Sequence, residues 1–111
     1  MMLVLSRREN ESIDIRTVDG STASLKRIGG GPLKLAVAGD GCKFYWRKVE
    51  NNFAIVDLRV GDELTIAFPC GEQVDVACLY VGRQAKLGFS SQSEATVILR
   101  HKVAVKSQLA G

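Results

Sequence analysis

The sequence predicts an all-β protein in which one five-strand pattern is used twice. Three observations carry this. Apolar and polar residues alternate over most of the chain, turn signals recur at short intervals, and the opening segment returns 51 residues further on. Leu3-Val4-Leu5-Ser6-Arg7-Arg8, then Glu11-Ser12-Ile13-Asp14-Ile15, comes back as Ala54-Ile55-Val56-Asp57-Leu58-Arg59, then Asp62-Glu63-Leu64-Thr65-Ile66. The copies are unequal: the first has two adjacent arginines where the second has Leu58-Arg59.

The elements follow in order. Leu3/Leu5 against Val4/Ser6 starts a strand, and Ile13/Ile15 against Ser12/Asp14 makes a second. Asp19-Gly20 is a turn signal, Ala23/Leu25 leads a third strand into Ile28, and Gly29-Gly30-Gly31-Pro32 breaks the chain. Leu33/Leu35/Val37 alternate with Lys34/Ala36, Gly39-Asp40-Gly41 turns again, and Lys43 to Arg47 is a fifth strand rich in aromatics. In the second copy, residues 54–59 and 63–67 are strands with Pro69-Cys70-Gly71 as the next turn. Val74 to Val81 is a strand, Gly82-Arg83 a tight connection, and Ala85/Leu87/Phe89 the next strand. Ser90 to Glu94 reads as a polar loop and Thr96 to Arg100 as the last strand. The offset drifts from 51 to 53, as single-residue insertions in turns or bulges would produce. Val105 and Leu109, four apart, fit a short C-terminal helix over Lys102 to Leu109.

Size and composition bound the rest. A chain of 111 residues holds one modest core, or two intertwined half-domains that share one. A hydrophobic fraction of 46% and a charged fraction of 24% are ordinary for a soluble protein. No apolar run approaches the roughly 20 residues of a membrane helix. Met1 to Leu5 meets Arg7, Arg8 and Glu9 too soon for a signal-peptide core, so a cytoplasmic location is expected. Cys42, Cys70 and Cys78 lack C-x-x-C spacing and His101 is the single histidine, so no disulfide framework, metal or other cofactor is expected. A net charge of +3 permits a nucleic-acid partner without demanding one.

Met2-Leu3-Val4-Leu5-Ser6-Arg7-Arg8 followed by Glu11-Ser12-Ile13 closely resembles the start of the carbon storage regulator family of small bacterial RNA-binding proteins. Lys34-Leu35-Ala36-Val37 and Lys86-Leu87-Gly88-Phe89 resemble that family's fourth strand, and Tyr45-Trp46-Arg47 and Ile98-Leu99-Arg100 its fifth. The resemblance implies two intertwined five-stranded units, 1–52 and a diverged 53–111, joined as a single-chain pseudo-dimeric sandwich or barrel. In the family, strand one of one unit lies beside strand five of the other, and each seam binds RNA containing GGA. Carried over, the first seam combines Leu5, Ser6, Arg7 and Arg8 with Leu99 and Arg100, with Arg7 and Arg100 as main cationic contacts. The second combines Val56, Asp57, Leu58 and Arg59 with Trp46 and Arg47, and its leucine and aspartate imply a degraded site.

The chain also departs from the pattern. Gly39-Asp40 and Ser91-Gln92 stand where the family has Ala-Pro, Asn10 where Gly is usual, and Lys48 and His101-Lys102 where acidic residues follow the fifth strand. If the seam strands run parallel, the linker from Arg47 to Phe53 is short: five extended residues reach only about 17 Å, and a parallel crossover needs about a dozen. A distorted second seam, or exchange of units between chains, would follow.

Arginine suits such a seam because guanidinium matches phosphate oxygens or a guanine edge with paired donors, and stacks on bases. The plainer reading makes Arg7 and Arg8 gatekeepers that protect an exposed strand edge. Phe44-Tyr45-Trp46 could stack bases, but alternation sends Phe44 and Trp46 to one face, which favours core. Lys34 and Lys86 most simply face solvent. The glycine run before Pro32 lacks the Lys-Ser/Thr of a phosphate loop, and no residue set marks an enzyme. The expected function is post-transcriptional regulation through GGA-containing single-stranded or hairpin-loop RNA, in a messenger leader or small RNA. The alternative is a diverged scaffold that has lost RNA and binds protein; a protein antagonist is a further candidate partner, and no membrane partner is expected. Fusion implies a monomer, whereas a sedimentation mass of about 24 kDa, twice 12.0 kDa, would mark strand exchange or a further dimer.

Overall fold

The predicted alternation becomes eleven strands and no helix in the computed structural model, which describes residues 3–29 and 33–91 and the backbone of 97–99. The first half supplies β1 (Leu3–Arg7), β2 (Ser12–Arg16), β3 (Thr22–Ile28), β4 (Lys34–Ala38) and β5 (Lys43–Trp46). A short unpredicted strand, β6 (Val49–Asn51), follows. The second half supplies β7 (Ile55–Asp57), β8 (Glu63–Ala67), β9 (Gln73–Tyr80), β10 (Ala85–Ser91) and β11 (Val97–Leu99). Ser90 and Ser91, read as loop, extend β10. The helix expected over Lys102 to Leu109 lies outside the described residues.

All pairings are antiparallel, in a six-stranded sheet of order β1-β10-β9-β8-β5-β6 and a five-stranded sheet of order β11-β2-β3-β4-β7. Each sheet holds a three-strand meander from one half, flanked by strands from the other. First strands pair with the other half's fourth: β1 with β10, from Leu3 opposite Phe89 to Arg7 opposite Ala85, and β7 with β4. Fifth strands pair with the other half's second, β11 with β2 and β5 with β8. Strands one and five are therefore not ladder neighbours: β1 is an end strand of one sheet and β11 of the other.

The linker expected to strain a parallel crossover instead makes a hairpin. Arg47 and Lys48 take φ of 52° and 65°, the double left-handed geometry of a tight two-residue turn, and β6 folds back on β5. The chain then enters the other sheet as β7, so no parallel crossover is needed.

The duplication is visible in the backbone hydrogen bonds. Asn10 N–H donates to Arg27 O as Gly61 N–H donates to Cys78 O; Glu11 N–H donates to Arg8 O as Asp62 N–H does to Arg59 O. Gly20 to Thr17 matches Gly71 to Phe68 in the same way. Every pair is related by a shift of 51 residues. Asn10 and Gly61 both have left-handed φ, 69° and 94°, which explains why asparagine can stand at that turn position.

The inward faces meet in one core. Ile13, Ile15, Leu25, Leu33 and Leu35 lie in or beside the five-stranded sheet, and Leu64, Ile66, Val74, Val76, Leu87 and Phe89 belong to the six-stranded one; all are essentially without solvent contact. Each such side chain contributes about 1.5–3 kcal/mol of transfer free energy. Cys78 is also buried, which pushes its thiol pKa up, whereas Cys42 is half-buried and Cys70 exposed.

Candidate nucleic-acid interface

The period of β1 sets the first end of the sandwich. Leu5 and Arg7 point inward, Val4 is exposed and Ser6 is half-buried on the outer face. Leu5 is part of the core, and Arg7 retains 3% of its exposure. The Arg7 guanidinium donates from Nε to Ser12 O at 3.0 Å and from Nη1 to Ser6 O at 2.7 Å. Arg7, expected as a main cationic contact for RNA, is thus committed to the interior; its charge masks an alternation that Leu3 and Leu5 set.

A second buried arginine was missed. Arg27 on β3 donates from Nη1 to Arg7 O at 2.9 Å and Arg83 O at 3.0 Å, and from Nη2 to Gly82 O at 2.7 Å. It ties the five-stranded sheet to β1 and to the β9–β10 connection of the other sheet. Three charge-assisted bonds offset the cost of burying a cation among neutral carbonyls. The row Ala23/Leu25/Arg27 carries the signal, which the reading of the strand as running into Ile28 passes over. The positions 51 residues on are Leu58 and Cys78, both buried. One end of the sandwich therefore carries two interior guanidiniums where the other carries a leucine and a thiol.

Around the arginine end, Arg8, Lys26, Arg83 and Lys86 are exposed. Arg8 N–H donates to Glu11 Oε1 at 2.7 Å, which shapes the turn and leaves the Arg8 side chain at the surface. Ser6 stands opposite Lys86, and Lys86 opposite Tyr80. β1 ends one sheet, and β11 ends the other beside β2, whose Ser12 receives Arg7. Leu99 is in backbone register with Asp14, and Arg100 lies outside the described residues.

The other end differs. Val56 and Leu58 are core, while Asp57 and Arg59 are exposed. Arg47 forms an ion pair with Asp62, its Nη2 3.1 Å and its Nε 3.2 Å from Oδ1, and its guanidinium lies 5.1 Å from the Trp46 ring centroid. β6 covers the outer edge of β5. Phe53, Val49, Val60 and Ile55 are exposed, and a depression of about 320 Å³ opens between Trp46, Val49, Phe53 and Ile55. Within the aromatic run, Phe44 is core, Tyr45 and Trp46 are half-buried, and none is an open platform. Lys34 is half-buried rather than fully in solvent.

The Arg59 N–H bound to Asp62 Oδ2 at 2.9 Å, followed by the Arg47 guanidinium, holds the Asp62 carboxyl below the usual carboxylate range. A lowered folded pKa gives stability that is present above the unfolded value and lost as pH falls through the folded one. Asp62→Asn is expected to cost roughly 1 kcal/mol at pH 7, a modest figure because Arg47 is largely exposed. In urea melts the deficit should shrink as pH falls below the usual carboxylate range; a deficit that does not change with pH would refute a charge origin.

Among the described residues no helix is long and apolar enough to cross a membrane, and no cluster of three or more His, Cys, Asp or Glu side chains is placed to hold a metal. Comparison with protein-family models, curated proteins and solved structures finds no match.

Proposed function

We propose that this chain is a single-chain counterpart of an interlocked carbon storage regulator dimer. In this reading it binds GGA-containing single-stranded or hairpin-loop RNA and regulates messages without catalysis. The exchange of outer strands between two halves related by a 51-residue shift is the observation that carries the reading. It joins the opening Leu3-Val4-Leu5-Ser6-Arg7-Arg8 to a second unit within one polypeptide. The arginine end is favoured as the RNA site because β1 and β11 end their sheets there and Arg8, Arg83 and Lys86 are exposed. Arg7 supports the edge from inside, and the surface contact passes to Arg8.

At the other end, β6 covers β5, Asp57 faces solvent and Arg47 is occupied by Asp62. That end is read as the degraded site. Its exposed Val49, Phe53, Ile55 and Val60 favour a second reading, a protein-interaction scaffold that has given up RNA.

Titration with a GGA hairpin and with a hairpin lacking GGA separates the two. Preferential binding of the first is expected, with Arg8→Glu plus Lys86→Glu weakening it at least 100-fold while the fold persists. Losing two phosphate contacts on a single strand should flatten the log-log salt dependence by roughly 1.4. Equal affinity for both hairpins, or none for either, would reject this function and favour the scaffold.

A further inference from the structure

We infer that Tyr80 is a stacking platform for one unpaired RNA base at the arginine end, an inference that rests on the RNA-binding reading above. β9 sends Val74, Val76 and Cys78 into the core. The β9–β10 register then slips: Leu87 pairs with Cys78 but Lys86 pairs with Tyr80, so β9 carries one extra residue. Such a bulge re-aims the side chains that follow. Leu79 and Tyr80 consequently both leave the core, with Tyr80 54% exposed on a strand whose inward residues are sealed.

The ring has a built seat. A Cβ at Gly82 would lie 2.8 Å from Tyr80 Cε2, 3.0 Å from its hydroxyl oxygen and 3.2 Å from Cζ, so the ring lies close over the bare Gly82 backbone. The same glycine's carbonyl accepts Arg27 Nη2 at 2.7 Å. A buried guanidinium therefore pins the peptide beneath an exposed aromatic ring. A ring that lies over a fixed peptide offers its other face to an incoming base.

Charge completes the match. Lys86 and Ser6 continue the row from Tyr80 to the β1 edge, and exposed Arg83 follows Gly82 in the chain. A planar π-surface beside flexible cations is the combination that receives a splayed base and its phosphates. The position 51 residues earlier is Gly29, so the first half has no counterpart of this ring.

The test uses the full-length protein and a GGA hairpin RNA carrying 2-aminopurine at successive loop positions. One position should be quenched on binding, and Tyr80→Ala should relieve that quenching and weaken affinity about 5- to 150-fold. Tyr80→Phe should stay within about twofold, since the π-face and not the hydroxyl is used. Circular dichroism checks that both variants keep the fold. Binding by the parent that Tyr80→Ala leaves unchanged would overturn the platform and spare the RNA function. A parent protein that binds no RNA would overturn both.

Discussion

Residues 1–52 and 53–111, produced separately, are expected to remain unfolded as monomers, and mixing them is expected to restore the β-sheet circular dichroism of the intact chain. Each half contains a three-strand meander plus first and fifth strands that hydrogen-bond to the other half, and the first half adds β6 on β5. Alone, the first half would leave Ile13, Ile15, Leu25 and Leu35 without the Leu64, Val76, Leu87 and Phe89 layer that covers them. It would also leave β1 without β10. Chains of about 50 residues bury too little apolar surface to offset ordering entropy without such help. Refolding on mixing should depend on protein concentration, as association-linked folding requires. A cooperative urea transition in either isolated half, at a concentration where sedimentation finds a monomer, would contradict the interleaved arrangement.

Arg27→Ala is expected to lower the unfolding free energy by about 3–4 kcal/mol, a large share of the ~5–15 kcal/mol available to a domain. The substitution removes three charge-assisted bonds and strips Arg7 O, Arg83 O and Gly82 O of the donor they share. It also cuts the side-chain link from β3 to the β9–β10 connection. Arg27→Lys should recover part of the loss, since one ammonium cannot span acceptors that the guanidinium reaches from two nitrogens. Cys78→Ala, at the equivalent place in the second half, should cost only about 1 kcal/mol because it removes a small apolar contact and no bond. Urea melts of the three variants give the ranking, and an Arg27→Ala loss below that of Cys78→Ala would show that the clamp contributes nothing.

Local structure was largely legible in the sequence, whereas the choice of partners was not. Alternation located ten strands because sheet faces that are half core and half solvent impose a period of two. β6 escaped because Val49-Glu50-Asn51 is too short to show a period, and Arg47-Lys48 lacks the Asn or Gly that usually marks such a turn. That strand one joins the other half's strand four is decided by packing between distant residues, which no local pattern encodes. At the candidate site, charge is a misleading sign of exposure. Arg7 and Arg27 continue the inward rows Leu3/Leu5 and Ala23/Leu25, and their guanidiniums reach backbone oxygens there instead of solvent. Tyr80 was hidden by the register slip in β9, which breaks the period just where the ring emerges.

The pairing of Leu3 with Phe89 also sets an order of events at the ribosome. At about 5–20 residues per second, the amino terminus waits roughly 4–17 s for the segment it must join. Throughout that interval a greasy ribbon, Leu3-Val4-Leu5, has no mate. The charged pair that follows it, Arg7-Arg8, is well suited to keep nascent copies apart on a polysome until β10 emerges.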